Sequence, residues 1–216
     1  MPKTLILCAA ALMLSLLTQA QARTGLALDY EHIQSPALGN LGPGSGMGGS
    51  VFIHAPFAHN LGLDLSLDLA GGHTTYQYYP YNPSPGSVSH LTSLKRPFFY
   101  SAIPVHLVYS HSYRQMRLFA GGGFAFTHLS MDEADFHGWQ MGPTCNTISL
   151  SFKAGFELFS HIVFSGEFRP ASAVVSKTTA YQPERYKIAN QLSVKLGYAF
   201  GSQRPANHSS KTYSNK

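Results

Sequence analysis

His128 and Ser130 stand two residues apart, and Asp132, Glu133 and Asp135 follow at once. In an extended chain, residues i and i+2 share a face. The spacing therefore puts an imidazole beside a hydroxyl, with an acid close behind. An imidazole that accepts the hydroxyl proton makes a nucleophile, and a carboxylate can orient the imidazole. Acyl hydrolysis by His128, Ser130 and Glu133 is the chemistry such a set offers. The same residues also suit a polar strand rim running into a loop, and that plainer assignment is adopted, with the enzyme kept as an alternative. The chain has 11 histidines, yet no His-x-His or His-x3-His pair sets two ligands on one face. His73, His90 and His137 could gather on the outside, but scattered surface histidines are the plainer assignment, so neither a metal nor a cofactor is expected.

The elements that would position these groups are strands. Leu61 to Leu69 reads Leu-Gly-Leu-Asp-Leu-Ser-Leu-Asp-Leu. Only a period-two strand gathers those leucines on one face and sets Asp64 and Asp68 on the other. Eight such segments are legible: 24–33, 48–55, 61–74, 97–109, 115–129, 146–158, 162–169 and 188–200. In the first, Leu26, Leu28 and Tyr30 oppose Asp29 and Glu31. In the second, Val51 and Ile53 point outward. In the sixth, Ile148, Leu150, Phe152, Phe156 and Leu158 oppose Ser149, Ser151, Lys153 and Glu157. Several segments reach about ten residues, the length a tilted membrane strand needs and longer than a typical soluble strand. Pro104 interrupts the fourth and predicts a bulge or a locally broken pairing.

The connections alternate in length. Residues 34–47, 75–96, 130–145 and 170–187 are long, whereas 56–60, 110–114 and 159–161 are short. Long loops on one side and tight turns on the other mark an up-and-down barrel in an outer membrane. Charged residues are 12% of the chain, about half the usual share. Aromatics are another 12%, and glycines number 20. Phe98, Phe99, Tyr100, Phe126 and Phe168 fall near one predicted interface, and Tyr109, Phe156, Tyr198 and Phe200 near the other, as aromatic girdles would.

The N-terminal segment predicts export. Lys3 precedes an apolar run from Leu5 to Leu17, and Ala20-Gln21-Ala22 offers small residues for cleavage near Ala22. The run is too short to span a bilayer, so it reads as a signal peptide over 1–22. Cys8 leaves with it, and Cys145 alone has no disulfide partner within the chain. The expected organisation is a barrel over 23–200 and a polar tail over 201–216. The formal charge of +5 comes from scattered residues, and export makes nucleic acid an unsuitable partner.

Three stretches carry a family resemblance. Asn146 to Leu158, followed by a tight turn and Phe164-Ser165-Gly166-Glu167-Phe168-Arg169, resembles the penultimate hairpin of OmpA-like, opacity-type outer-membrane barrels. Phe119-Ala120-Gly121-Gly122-Gly123-Phe124 resembles the glycine-rich strand before it. Lys195-Leu196-Gly197-Tyr198-Ala199-Phe200 resembles the terminal strand whose aromatic end the barrel-assembly machinery reads, which implies that role for Tyr198 and Phe200. In the family that aromatic is often the last residue, whereas Gly201 to Lys216 follow here. The resemblance implies an all-β, eight-stranded antiparallel transmembrane barrel in the outer membrane of a Gram-negative bacterium.

An eight-stranded barrel is just wide enough inside for side chains. Asp29, Glu31, Asp64, Asp68, Arg117, Lys153, Glu157, Glu167, Arg169 and Lys195 would face inward. Their mixed signs predict a network of ion pairs filling the lumen, because isolated buried charges cost too much. Lys153 is expected opposite Glu167, and Lys195 near Asp29. The function expected is structural, or binding through loops as in adhesion and opacity proteins, with Tyr79, Tyr81, Phe136 and Trp139 as contact residues for a host or envelope ligand. Lipopolysaccharide and outer-membrane lipid would surround a monomer. Two alternatives stay open. His128-Leu129-Ser130 slightly resembles the His-x-Ser element of lipid A 3-O-deacylases, although Met131 stands where that family has Asn. A soluble lipocalin-like carrier would instead turn its apolar alternation inward.

Overall fold

The computed structural model describes residues 22–33, 41–58, 60–78, 92–131, 134–136, 139–141, 144–170, 172–178, 187–188 and 190–201. The elements in chain order are β1 (Arg23–Ile33), β2 (Leu41–Pro56), β3 (Leu61–Tyr78), β4 (Thr92–Tyr113), β5 (Met116–Met131), β6 (Ala134–Phe136), β7 (Trp139–Met141), β8 (Thr144–Leu158), β9 (Ile162–Arg169), β10 (Ser172–Thr178), β11 (Lys187–Ile188) and β12 (Gln191–Phe200). Every pairing is antiparallel. The order runs β1–β2–β3–β4–β5–β8–β9–β12 and closes when β12 pairs β1, from Thr24↔Phe200 to Ile33↔Gln191. β10 extends the β9 stave along β8 and pairs with β11, which leads into β12. The result is a closed eight-staved barrel with no helix among the described residues.

Closure fixes the faces. Leu28 on β1 is 70% exposed while its neighbours Asp29 and Glu31 are buried. The same parity holds around the ring: Leu69, Leu107, Phe124, Leu150 and Leu196 are exposed, whereas Asp68, His106, Ser151 and Lys195 are buried. The outer face is therefore apolar and the inner face polar, which excludes the lipocalin-like alternative. On the outer face Ile53, Ala55 and Leu65 are buried against one another, with Ala22, Leu63, Ile103 and Val105 packed around them.

The strands outrun the sequence pattern at the end away from the short turns. β2 begins at Leu41 rather than 48, β3 continues to Tyr78, and β4 is 22 residues long. Gly44, Gly46, Gly48 and Gly49 carry no side chains, so this part of β2 shows no alternation to read. A small hairpin, β6–β7, forms within the stretch expected to be loop, with Phe136 in register with Trp139. Cys145, assigned to that loop, lies in β8 opposite Leu129. β10 and β11 likewise occupy part of 170–187.

At Pro104 the β3–β4 ladder passes from Leu65↔Val105 to Asp68↔Ala102 without a change of register. Proline has no N–H to donate, and the pairing lapses locally without a bulge. Two of the expected girdle aromatics turn the other way: Phe98 and Tyr100 lie on the inner face of β4 and are buried. Phe99, Phe168, Tyr109, Tyr198 and Phe200 do face outward and are exposed. Residues 1–21, the tail beyond Gly201, Tyr79, Tyr81 and Glu133 lie outside the described residues.

Candidate functional site

The lumen holds the charged residues, and the strands bring them together from every side. All ten inward-facing acids and bases expected from the sequence sit on the inner face, buried or nearly so. They form two tiers.

In the tier nearer the short turns, Glu157 on β8 accepts from Arg23 of β1 at 2.6 Å and from Arg117 of β5 at 2.7 and 3.0 Å. Arg117 also donates to His54 Nε2 at 2.8 Å, and the other ring nitrogen of His54 bonds Asp64. Asp64 then accepts from Lys153 Nζ at 2.9 Å. This chain crosses five strands, β1, β8, β5, β2 and β3.

In the next tier, Asp68 on β3 accepts from Lys195 at 2.6 Å and Arg169 at 3.0 Å. Arg169 also reaches Glu167 at 2.6 Å, and Lys195 stands 3.5 Å from the other oxygen of Glu167. His106 bonds Ser151 at 2.8 Å, and Ser151 donates onward to Glu167 at 2.6 Å. Ser50 donates to Asp29 at 3.1 Å. Beyond this tier, Tyr100 donates to Gln191 at 3.2 Å, and the Arg169 guanidinium lies 5.7 Å from the centroid of the Tyr100 ring.

Lys153 and Lys195 stand beside the acids expected, and their ammonium groups bond farther off. Lys153 is the register partner of Glu167, but its ammonium reaches across the lumen to Asp64. Lys195 is the register partner of Asp29, but its ammonium binds Asp68 and Glu167. In a barrel this narrow, a long side chain meets the opposite wall as readily as its neighbour on the adjacent strand. Arg23, His54 and His106 join the network although the sequence did not single them out. Parity offered the signal: Arg23 continues the odd-numbered face of Asp29 and Glu31, and His54 alternates with outward Val51 and Ile53.

His128 and Ser130 lie on the outer face of β5, opposite in parity to buried Thr127 and Leu129. The His128 Nδ1 donates to Asn146 on β8 at 2.8 Å, its register partner, so the nitrogen is engaged across the strand pair. Phe136 and Trp139 sit at the end of the β6–β7 hairpin.

A ring of antiparallel strands with charges sealed inside and apolar side chains outside defines a small transmembrane β-barrel. Among solved structures the chain is similar to Neisserial surface protein A, with a TM-score of 0.51, 12% identity, and coverage of 83% of this chain and 96% of that one. It is also similar to the attachment invasion locus protein Ail of Yersinia pestis (TM-score 0.45, 11% identity, 83% and 97% covered) and to OprG of Pseudomonas aeruginosa (0.44, 11%, 84% and 95%). The likeness to Neisserial surface protein A is one of fold, a closed antiparallel barrel of eight staves. No protein-family model matches the chain, and no curated protein matches it in sequence.

Proposed function

We propose that this protein is a non-enzymatic barrel of a Gram-negative outer membrane, exported and cleaved near Ala22, whose charge-filled lumen braces the wall and whose long-loop end binds. The observation that supports the proposal is that ion pairs join residues of different strands across the lumen. A host or envelope ligand would meet the far-side hairpin and loops, with Phe136, Trp139, Tyr79 and Tyr81 as contacts. Lipopolysaccharide and lipid would surround a monomer, and Tyr198 and Phe200 would be read by the assembly machinery.

The membrane assignment makes a quantitative prediction. Leu150 is exposed near the middle of β8. Leu150→Arg in liposomes should cost about 2–4 kcal/mol, as for a cation facing acyl chains near the midplane. On a soluble surface the same change would fall within about 0.5 kcal/mol. Urea unfolding of the refolded barrel in lipid distinguishes the two, and a near-zero cost would refute the lipid-facing wall.

The enzyme alternative is tested by replacing His128 and Ser130 together with alanine. Mass spectrometry of lipid A from cells expressing the variant should match that from cells expressing the parent chain. Loss of a deacylated species only in the variant would establish the hydrolase instead.

A further inference from the structure

Asp29, Glu31 and Asp68 each present one oxygen on the inner face, and those oxygens lie within 4.8 Å of one another. All three residues are buried, Glu31 at 0% exposure. One oxygen of Asp29 accepts from Ser50, and one of Asp68 is taken by Lys195 and Arg169. The other oxygen of Asp29, the other oxygen of Asp68 and both oxygens of Glu31 have no hydrogen-bond partner. Ser193 supplies a separate observation. It is the register partner of Glu31 on the same inner face, it is 2% exposed, and its hydroxyl is also unpartnered.

Charge points the same way. In this tier four carboxylates (Asp29, Glu31, Asp68, Glu167) face two cations (Arg169, Lys195). With all four ionised, two negative charges would be in excess, and buried charges need partners. The available donors are oxygens alone, the preference of hard cations and not of zinc or copper. Ser50, which holds Asp29, and Lys195, which holds Asp68, also line a lumenal cavity together with Arg23 and Glu157 of the tier nearer the short turns.

We infer that the lumen contains a binding site for a hard divalent cation, calcium or magnesium, with Asp29, Glu31 and Asp68 as carboxylate ligands and the Ser193 hydroxyl as a neutral one. A 2+ ion would cancel the excess charge and tie β1, β3 and β12 together.

The test uses the full barrel refolded in detergent and stripped with EDTA. Calcium or magnesium chloride is then added while the unfolding midpoint is followed, and direct uptake is measured by calorimetry. The parent chain should gain stability with metal and show saturable uptake. Glu31→Gln should be at least as stable without metal, because one repelling charge is gone, and should bind the ion at least about tenfold more weakly. Asp29→Asn should behave alike, and it decides the matter if Glu31→Gln does not fold. No uptake by the parent chain at about 10 mM metal, far above even weak calcium sites, overturns the site, with protons then neutralising the acids. Unaltered uptake in both variants overturns the ligand assignment.

Discussion

Glu157→Ala is expected to destabilise the barrel by about 3–5 kcal/mol, the loss seen when one partner of a buried ion pair is removed. Glu157 is 1% exposed, and both its oxygens are engaged, one by Arg23 and the other by Arg117. Alanine would leave two guanidiniums in the lumen. Arg23 would keep its bond to the Ser160 carbonyl, and Arg117 its bond to His54 and its place 5.5 Å from the centroid of the Phe119 ring, but both would lose the carboxylate they share. Glu157→Gln keeps the shape and one acceptor oxygen, so its loss should be smaller. Exposed Lys95→Ala should stay within about 0.5 kcal/mol. Urea unfolding in detergent, read as loss of the compact band on an unheated gel, measures all three. If Glu157→Ala unfolds with the parent chain, the lumenal network is not what braces the wall. A double change, Arg117→Met with Glu157→Leu, should recover part of the loss by replacing charges with packed apolar groups.

The wall was readable from the sequence, and the wiring inside it was not. Alternation in Leu61 to Leu69 assigns a face to each residue because side-chain direction in a strand is a local property. The inward placement of Asp29, Asp64, Lys153 and Glu167 follows from that parity alone. Which acid meets which base depends on the curvature and stagger of the closed ring, which no single strand encodes. Lys153 therefore binds Asp64 across the lumen, although Glu167 is its register partner. Phe98 and Tyr100 were misassigned for a related reason. Phe98-Phe99-Tyr100 is aromatic at three successive positions, so composition suggested a girdle while parity placed only the middle ring outside. The glycine-rich part of β2 was invisible because alternation needs side chains. Phe136 and Trp139 are legible as aromatics of a long connection, but the hairpin that sets them in register leaves no period-two signature.

The glycines give the second large effect. Gly122 and Gly123 are adjacent on β5 and face opposite ways. A Cβ at Gly122 would meet the Phe152 ring at 3.6 Å, an ordinary contact. A Cβ at Gly123 would lie 1.8 Å from the Val105 carbonyl oxygen and 2.9 Å from the His106 Cα. Those are backbone atoms of β4, so no rotamer change relieves the overlap, and the strands must separate. Gly123→Ala is expected to cost about 3 kcal/mol or more, at or beyond the upper end of ordinary overpacking, while Gly122→Ala should be nearly neutral. Gly123 also lies between His106 and Ser151 in the lateral row of register partners. The imidazole of His106 reaches Ser151 at 2.8 Å past a position that has no side chain. The missing side chain thus serves both wall and lumen, and the two roles separate experimentally. If blocking the imidazole were the main damage, His106→Ala would rescue Gly123→Ala. The nearer obstacle is the Val105 carbonyl, so rescue should fail, and substantial recovery in urea unfolding would show that the network, not the strand spacing, dictates glycine there.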